Sequence, residues 1–213
     1  CALPICLWSN SHTQHLITAT ELLNYGLAAG PITSIGLDVT NAGTLPMLQM
    51  SIKIGNSSAT GMTAFDSAAT MNTVYTSASY MPTTGVNNFT FTTPFVWDGV
   101  SNIIIEFCHG NPSSTVTMNR TVKSITTNFT STVKTHSTSS TGGNVICGNT
   151  SSNLLSYSVR PQFIFQGNRV CLNPTRTEVI ATVTPAPAFA LSTTTLDICE
   201  AASGNVTVIT GAA

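Results

Sequence analysis

Apolar and polar residues alternate along much of the chain. Between residues 48 and 54 every even position is apolar and every odd position is polar, which is the pattern of a β-strand with one buried face. Residues 35–39 and 89–91 repeat this alternation. Thr, Val and Ile favour strands, and their enrichment predicts further strands at residues 103–107, 115–125, 159–165, 179–183 and 206–209. Turn-forming residues separate these segments.

One short helix is predicted near the beginning of the chain. Thr18 and Glu21 have the spacing of a capping box, in which each side chain binds a free amide of the first turn. The leucines that follow, as far as Leu27, form an apolar side. Either Gly26 or Gly30 is expected to end the helix.

Many short strands and a single helix predict an all-β fold, an antiparallel β-sandwich of the jelly-roll kind, over residues 1–168. Within it, residues 129–153 are rich in Ser, Thr, Gly and Asn, and we interpret them as long loops or a solvent-facing hairpin. Residues 169–213 are predicted to form a linker and part of an Ig-like unit. Because such a unit needs about 100 residues, either the natural chain continues or a neighbouring molecule completes the sheet.

Charged residues are scarce and change the expected setting of the protein. Among 213 residues there are seven Lys and Arg and eight Asp and Glu, whereas about a quarter of an average domain is charged. Hydroxyl and amide groups must therefore provide solubility. The few basic residues are scattered, which argues against nucleic-acid binding, and no apolar run is long enough for a membrane helix. The sequence begins at Cys1 without a signal-peptide pattern, so we expect a processed chain or a fragment.

Six cysteines in so uncharged a chain predict an oxidising, extracellular location. Cys108 and Cys147 are predicted to form a disulfide that closes a loop of about 40 residues and stabilises the fold by roughly 3 to 4 kcal/mol. The other four cysteines allow several pairings, and the partner of the last one can lie beyond the chain end. These are Cys1, Cys6, Cys171 and Cys199.

Nucleophilic and metal-binding patterns are weak in this sequence. Cys108 stands beside His109, but neighbours on a strand point to opposite faces, which argues against a cysteine nucleophile. His12 and His15 have a spacing that metal ligands use, yet no further ligands lie nearby in the sequence. We therefore interpret both histidines as surface residues.

The sequence contains one candidate calcium site, because carboxylate and amide oxygens are the ligands that this ion prefers. The candidate ligands are Asp98, Asn102 and Glu106. No other cofactor is expected, and no phosphate-binding, dinucleotide-binding or nucleophile-elbow motif is present. Trp97 is interpreted as a core residue, with sugar stacking as the alternative.

Several segments resemble large adhesin-like and gliding-associated surface proteins of Bacteroidota that the type IX secretion system exports. The matching segments are HLITATEL at residues 15–22, GPITSI at 30–35, FTTPFVWDGVSNIIIEFC at 91–108 and RP at 160–161, within residues 12–167. Cys199 and the two residues after it resemble the first strand of the Ig-like repeats that follow in such proteins. The resemblance also implies that Ser67, within an Asp-Ser-Ala pattern, is a site of O-glycosylation.

These observations favour a non-catalytic extracellular module of a bacterial surface protein or fibre. Its expected partners are copies of itself, adjacent repeats of the same polypeptide, or surface glycans. One variant is assembly by strand addition, with an alternating terminal segment as the donated strand or as the first strand of the next repeat. This segment contains Asn205, Val206, Thr207, Val208, Ile209 and Thr210. A carbohydrate-binding module of a secreted enzyme is the alternative, and an enzyme with a dispersed active site ranks third.

Overall fold

The structure is a computed structural model that describes residues 2–6, 10–110, 120–137, 147–148, 150, 154–169, 189–191 and 208–210. The chain divides into two compact units, Cys1–Arg169 and Val170–Ala213. In chain order the elements are β1 (Ala2–Cys6), β2 (Asn10–Ile17), α1 (Ala19–Asn24), β3 (Leu27–Asn41), β4 (Met47–Ser57), β5 (Asn72–Tyr80), β6 (Gly85–Trp97), β7 (Asn102–Gly110), β8 (Arg120–Thr126), β9 (Thr132–Ser137), β10 (Leu155–Tyr157), β11 (Val159–Pro161), β12 (Phe163–Arg169), β13 (Phe189–Leu191) and β14 (Val208–Thr210).

Two six-stranded antiparallel sheets form the first unit, and the predicted all-β sandwich with one short helix is confirmed. In one sheet the long strand β3 pairs with β6 along one edge, and with β12 and then β8 along the other. Strands β1 and β11 also pair with β8. The second sheet has the order β10-β9-β2-β7-β4-β5.

An apolar core fills the space between the two sheets. It is built from alternating positions of β3, β4, β6 and β7, as the period-two pattern predicts. Its fully buried members include Ile32, Ile35, Ile52, Ile54 and Ile105. Trp97 is 1% exposed and its Nε1 donates a hydrogen bond to the Ser101 carbonyl at 2.8 Å, so its interpretation as a core residue is confirmed.

A smaller apolar cluster lies on the other face of the second sheet. Leu16 and Ile104 project from the sheet there, and Met62 and Phe65 reach them from the segment 58–71. The Met62 amide donates to the Thr130 carbonyl at 2.8 Å. This segment, which we call the covering segment, therefore buries part of the outer face of the second sheet.

Of the two ends predicted for the helix, Gly26 is the one that the structure contains. Its capping box is present, since Thr18 accepts from the Glu21 amide and Glu21 accepts from the Thr18 amide. The helix ends at Asn24, and Gly26 adopts a φ of 80°, which turns the chain directly into β3, so Leu27 does not belong to the apolar side of the helix as predicted. Leu27 is consequently buried as the first residue of a strand.

The interpretation of residues 129–153 as loops or a solvent-facing hairpin is wrong for β9. This strand does pair with β10, but it also pairs with β2, and residues 132–135 are buried. Strands β2 and β5 were likewise not predicted from the alternation. The segments 115–119 and 179–183, predicted as strand, lie outside the described residues.

The described part of the second unit is a two-stranded antiparallel sheet in which β13 pairs with β14. Residues 208–210 of the terminal segment thus have a strand partner within their own unit. The Ig-like nature of this unit stays a prediction, because most of residues 170–213 lie outside the described residues.

Candidate functional site

Strand β2 is polar from Asn10 to His15, and yet every side chain on it is buried. Buried polar groups need hydrogen-bond partners, because their desolvation is otherwise costly. The neighbouring strands β7 and β9 supply many of them. We call β2 and β9 the polar strand pair, and it is the densest group of buried polar side chains that the structure describes.

Glu106 on β7 is the centre of one network, on the outer face of the sheet. Its Oε2 accepts from Gln14 Nε2 at 2.8 Å and lies 3.3 Å from His12 Nε2. Its Oε1 accepts from Lys53 Nζ at 2.9 Å. The Glu106 side chain is 7% exposed, whereas the Lys53 side chain is 33% exposed. The carboxylate is therefore enclosed, with one cationic partner that reaches solvent.

Burial alone would raise the pKa of Glu106, but the hydrogen bonds from His12, Gln14 and Lys53 outweigh it and lower the pKa from 4.5 to about 2. The carboxylate is ionised at neutral pH and its oxygens are occupied by these donors. A general acid must hold a proton near the working pH, so Glu106 is suited to a structural role.

The Glu106 network continues into the covering segment. Gln14 Oε1 accepts from the Asp66 amide at 2.8 Å. The Asp66 carboxylate accepts from the Ser57 hydroxyl and from the Ala68 amide. Because Gln14 binds Glu106 through its nitrogen and Asp66 through its oxygen, one side chain joins the covering segment to the sheet.

His12 and His15 are not surface residues as the sequence analysis proposes, since they are 2% and 4% exposed. They lie on opposite faces of β2. The His12 ring packs on Phe65 at 4.3 Å between centroids, while His15 faces the interior of the sandwich, 5.7 Å from Phe163. Their three-residue separation on a strand thus keeps the two imidazoles apart rather than at one metal site.

The tautomer of His15 follows from its hydrogen bonds. Thr132 Oγ1 donates to the Val159 carbonyl at 2.8 Å, so the same hydroxyl must accept from His15 Nδ1, which lies 2.9 Å away. Burial, together with the charges of Arg160 and Lys134, lowers the pKa of His15 from 6.5 to about 3. The ring is neutral at physiological pH, with its proton on Nδ1.

His109 on β7 is a second buried neutral histidine. It is 1% exposed. Burial lowers its pKa from 6.5 to about 4; the Gly110 carbonyl opposes this shift and the charges of Arg120 and Lys134 add to it. Its neighbour Cys108 is joined to Cys147 by a disulfide with a Cα–Cα distance of 5.5 Å. The predicted pairing is the one that the structure contains, and it leaves no free thiol at Cys108.

The three calcium candidates belong to separate hydrogen-bond networks. Asp98 caps its own turn, accepting from the amides of Val100 and Ser101 at 2.9 and 2.8 Å. Asn102 Oδ1 accepts from the Ala19 amide, and Glu106 lies in the network described above. The hydrogen bonds from Ser101 and Val100 lower the pKa of Asp98. Calcium binding here remains a prediction.

The remaining predicted positions are dispersed. Ser67 is exposed on the covering segment, where a modifying enzyme could reach it. Cys6 is the last residue of β1, while Cys1, Cys171 and Cys199 lie outside the described residues, as do residues 205–207.

Most of the network residues are not predicted by any local pattern in the sequence. Gln14, Lys53 and Asp66 have no motif in common, and Gln14 is separated from Glu106 by 92 positions. One signal was available: the β-branched residues Thr132, Val133 and Thr135 favour a strand. A strand there would have indicated that polar residues are buried.

In the ranges that the structure describes, no group of three or more His, Cys, Asp and Glu side chains is arranged to hold a metal ion. No helix of these ranges is long and apolar enough to cross a membrane. The fold and the network together define an all-β sandwich with a polar buried layer. In comparisons with known proteins, no family model, no curated protein and no solved structure matched the chain, and the surface-protein resemblance stays a prediction.

Proposed function

We propose that this chain is a non-catalytic structural or adhesion module of an extracellular bacterial surface protein or fibre. The observation that supports it best is the state of the acidic residues. Every Asp and Glu in the described part of the chain accepts hydrogen bonds or forms an ion pair within the protein; these residues are Glu21, Asp38, Asp66, Asp98 and Glu106. Carboxylates used in this way hold neighbouring side chains and turns in place, which is a structural role.

The disulfide adds support for an extracellular setting. It joins Cys108 on β7 to Cys147, and disulfides of this kind persist in oxidising compartments. The exposed residues of β6 include Asn88, Thr90, Thr92 and Thr93 beside Val86 and Val96, which gives this strand an uncharged surface. Both features help a protein with few charged residues to stay folded outside the cell.

Immunogold electron microscopy of intact cells of the source organism tests the proposal. Antibodies raised against the full 213-residue chain should label unpermeabilised cells, along filaments or across the outer surface. A matched control uses antibodies to a cytoplasmic protein, which should label permeabilised cells alone. Labelling of this chain confined to permeabilised cells would contradict the proposal.

Assembly is the second part of the proposal, and copies of the same chain or adjacent repeats are the proposed partners. The terminal segment from Asn205 to Thr210 is the candidate joint, although its residues 208–210 already pair with β13. Substituting Val208→Pro would prevent strand pairing at that position. We expect shorter filaments or fewer oligomers in negative-stain images, and unchanged assembly would remove this segment from the joint.

A further inference from the structure

A pocket of about 220 Å³ opens beside the helix, between α1, the beginning of β3 and the edge strand β12. Its walls are mostly apolar, with aromatic rings and two guanidinium groups. The lining includes Tyr25, Ile125, Arg160, Phe163, Phe165 and Arg169. We call this the helix pocket. All of these residues belong to the first compact unit.

Arg160 gives the pocket an unusual polar group. Its side chain is 4% exposed, and Nη2 donates to Glu21 Oε1 at 2.5 Å. The Nε atom is also buried, and it has no hydrogen-bond partner among the described residues. A buried guanidinium donor without an acceptor is costly, and a small rotation of the Arg160 side chain, which lines the pocket, would bring Nε to an acceptor bound there.

The charges at the pocket favour an anion. Arg160 is paired with Glu21, while Arg169 is an exposed lining residue and adds a second cation. Among the described lining residues there is no Asp or Glu. An arginine binds a carboxylate through two parallel hydrogen bonds more readily than a neutral acceptor.

The rest of the lining favours an apolar body. Phe163 and Phe165 lie 6.1 Å apart between ring centroids and form part of the wall. Tyr25 is 75% exposed, so its ring is free to cover a ligand from the solvent side. At about 30 Å³ for each water molecule, the volume corresponds to about seven waters, which is the size of a small ring-bearing molecule.

We propose that the helix pocket binds a small organic carboxylate with an apolar or aromatic body, whose carboxylate is held by Arg160 and Arg169. This site is additional to the structural function proposed above and does not depend on it. The ligand enters beside Tyr25, places its apolar body against Phe163, and supplies the acceptor that Arg160 Nε lacks.

Titration of the full chain with 3-phenylpropionate, followed by NMR of the arginine Nε–H resonances, tests the proposal. The Arg160 resonance should move in a saturable way, with a dissociation constant of about 1 mM or tighter. The neutral analogue 3-phenylpropanol should bind at least about tenfold more weakly, because a hydrogen bond to a charged group is worth roughly 1.5 to 3 kcal/mol. Equal binding of acid and alcohol would overturn the carboxylate assignment.

Three variants separate the site from the fold. Arg169→Gln, at an exposed position, should weaken 3-phenylpropionate binding about threefold to tenfold. Ile125→Trp should fill the pocket and abolish binding. Lys123→Gln is the matched control, since it removes an exposed cation that does not line the pocket, and its binding should be unchanged.

Arg160→Lys assigns the Nε–H resonance and keeps the charge, and circular dichroism verifies that each variant is folded. If Arg160→Lys unfolds, Arg169→Gln and Ile125→Trp still decide the question. Binding that survives both substitutions would place the ligand elsewhere and overturn the proposal. Glucuronate is the third probe, and its binding in place of 3-phenylpropionate would make the site one for acidic sugars and contradict the apolar body.

Discussion

The apolar core and the polar strand pair are buried to a similar degree but are stabilised by different interactions. Ile35, Ile52 and Ile105 in the core are 0% exposed, and His12 and His15 on β2 are 2% and 4% exposed. Removal of apolar surface from water stabilises the core, and that contribution needs no specific partner. The stability of the polar strand pair instead depends on specific hydrogen-bond donors and acceptors, and on their protonation states.

This difference shows how burial and hydrophobicity can separate within one domain. A strand such as β4 is buried because its side chains are apolar, and its alternation is visible in the sequence. Strand β2 is buried because strands on both sides supply hydrogen-bond partners, as Glu106 does for Gln14 and Thr132 for His15. We expect the two regions to respond differently to pH and to substitution, which four experiments can measure.

Acid should have the largest effect on stability, and it should act through two buried histidines, His15 on β2 and His109 on the neighbouring strand β7. Below about pH 6.5 the unfolded chain protonates His15 and His109, whereas the folded protein protonates them only near pH 3 and pH 4. Stability is therefore lost as the pH falls through this window, by about 2 to 3 kcal/mol per pH unit when both groups contribute. Urea unfolding followed by circular dichroism from pH 7 to pH 4 measures the slope.

His15→Asn is the control for this prediction, because the asparagine amide can still donate to Thr132 but does not titrate. The slope between pH 6 and pH 4.5 should fall by about half. An unchanged slope in this variant would show that His15 is not one of the groups that make the fold sensitive to acid.

Truncation of the apolar core should have the next largest effect and should not depend on pH. Ile52→Ala is expected to lower the free energy of unfolding by about 4 kcal/mol, because it removes buried methyl groups and leaves a cavity. Ile52→Val should cost about 1 kcal/mol, and Val86→Ala, at a position that is 52% exposed, should cost little. Denaturant unfolding at pH 7 and pH 5.5 measures the loss for each of the three variants. A loss for Ile52→Ala that differs between these two pH values would contradict the separation of the two regions.

The same separation explains which parts of the fold were predictable. The alternation at residues 48–54 identifies β4, and the capping box at Thr18 identifies the start of α1, because both signals are local. Even so, local rules did not give the bulge at Gln49, whose φ of 48° interrupts the pairing of β4 with β7. Such a bulge adds a residue to one strand only, and its position depends on the partner strand.

The candidate site could not be predicted because its members meet only in the folded chain. His15 and Thr132 are separated by 117 positions, and Lys53 and Glu106 by 53. Polar residues such as those of β2 are usually exposed, so the sequence favoured a surface position for His12 and His15. The pairing of Cys108 with Cys147 was accessible because only two cysteines lie in that part of the chain.

Neutralisation of Glu106 should have an intermediate effect. Glu106→Gln removes the acceptor charge from His12, Gln14 and Lys53, and we expect a loss of about 2 to 3 kcal/mol at pH 7. The folded pKa of Glu106 is lowered, so its contribution is present above about pH 4.5 and is lost as the pH falls toward 2. Unfolding experiments should therefore show the difference between the two proteins shrinking below pH 4.5.

Asp98→Asn is the matched control for Glu106→Gln, because it neutralises an exposed carboxylate that caps a turn. Its loss should be smaller and should decrease with added salt. If both substitutions cost the same, enclosure of Glu106 would not be the source of its contribution.

The smallest effect concerns α1, where Leu22 packs in the apolar core and Glu21 binds Arg160 and the cap at Thr18. Thr18→Ala removes the cap hydroxyl and should lower the free energy of unfolding by about 1 kcal/mol. Thr18→Ser keeps a hydroxyl and should lower it by only a few tenths of a kcal/mol. The loss should be equal at pH 7 and pH 5.5, since the cap hydroxyl of Thr18 bonds to Glu21. A loss that grows at pH 5.5 would instead show that the helix is coupled to protonation of His15 through Arg160, which binds Glu21 and whose charge acts on His15. The pH dependence of this modest change therefore decides whether the two buried regions act independently.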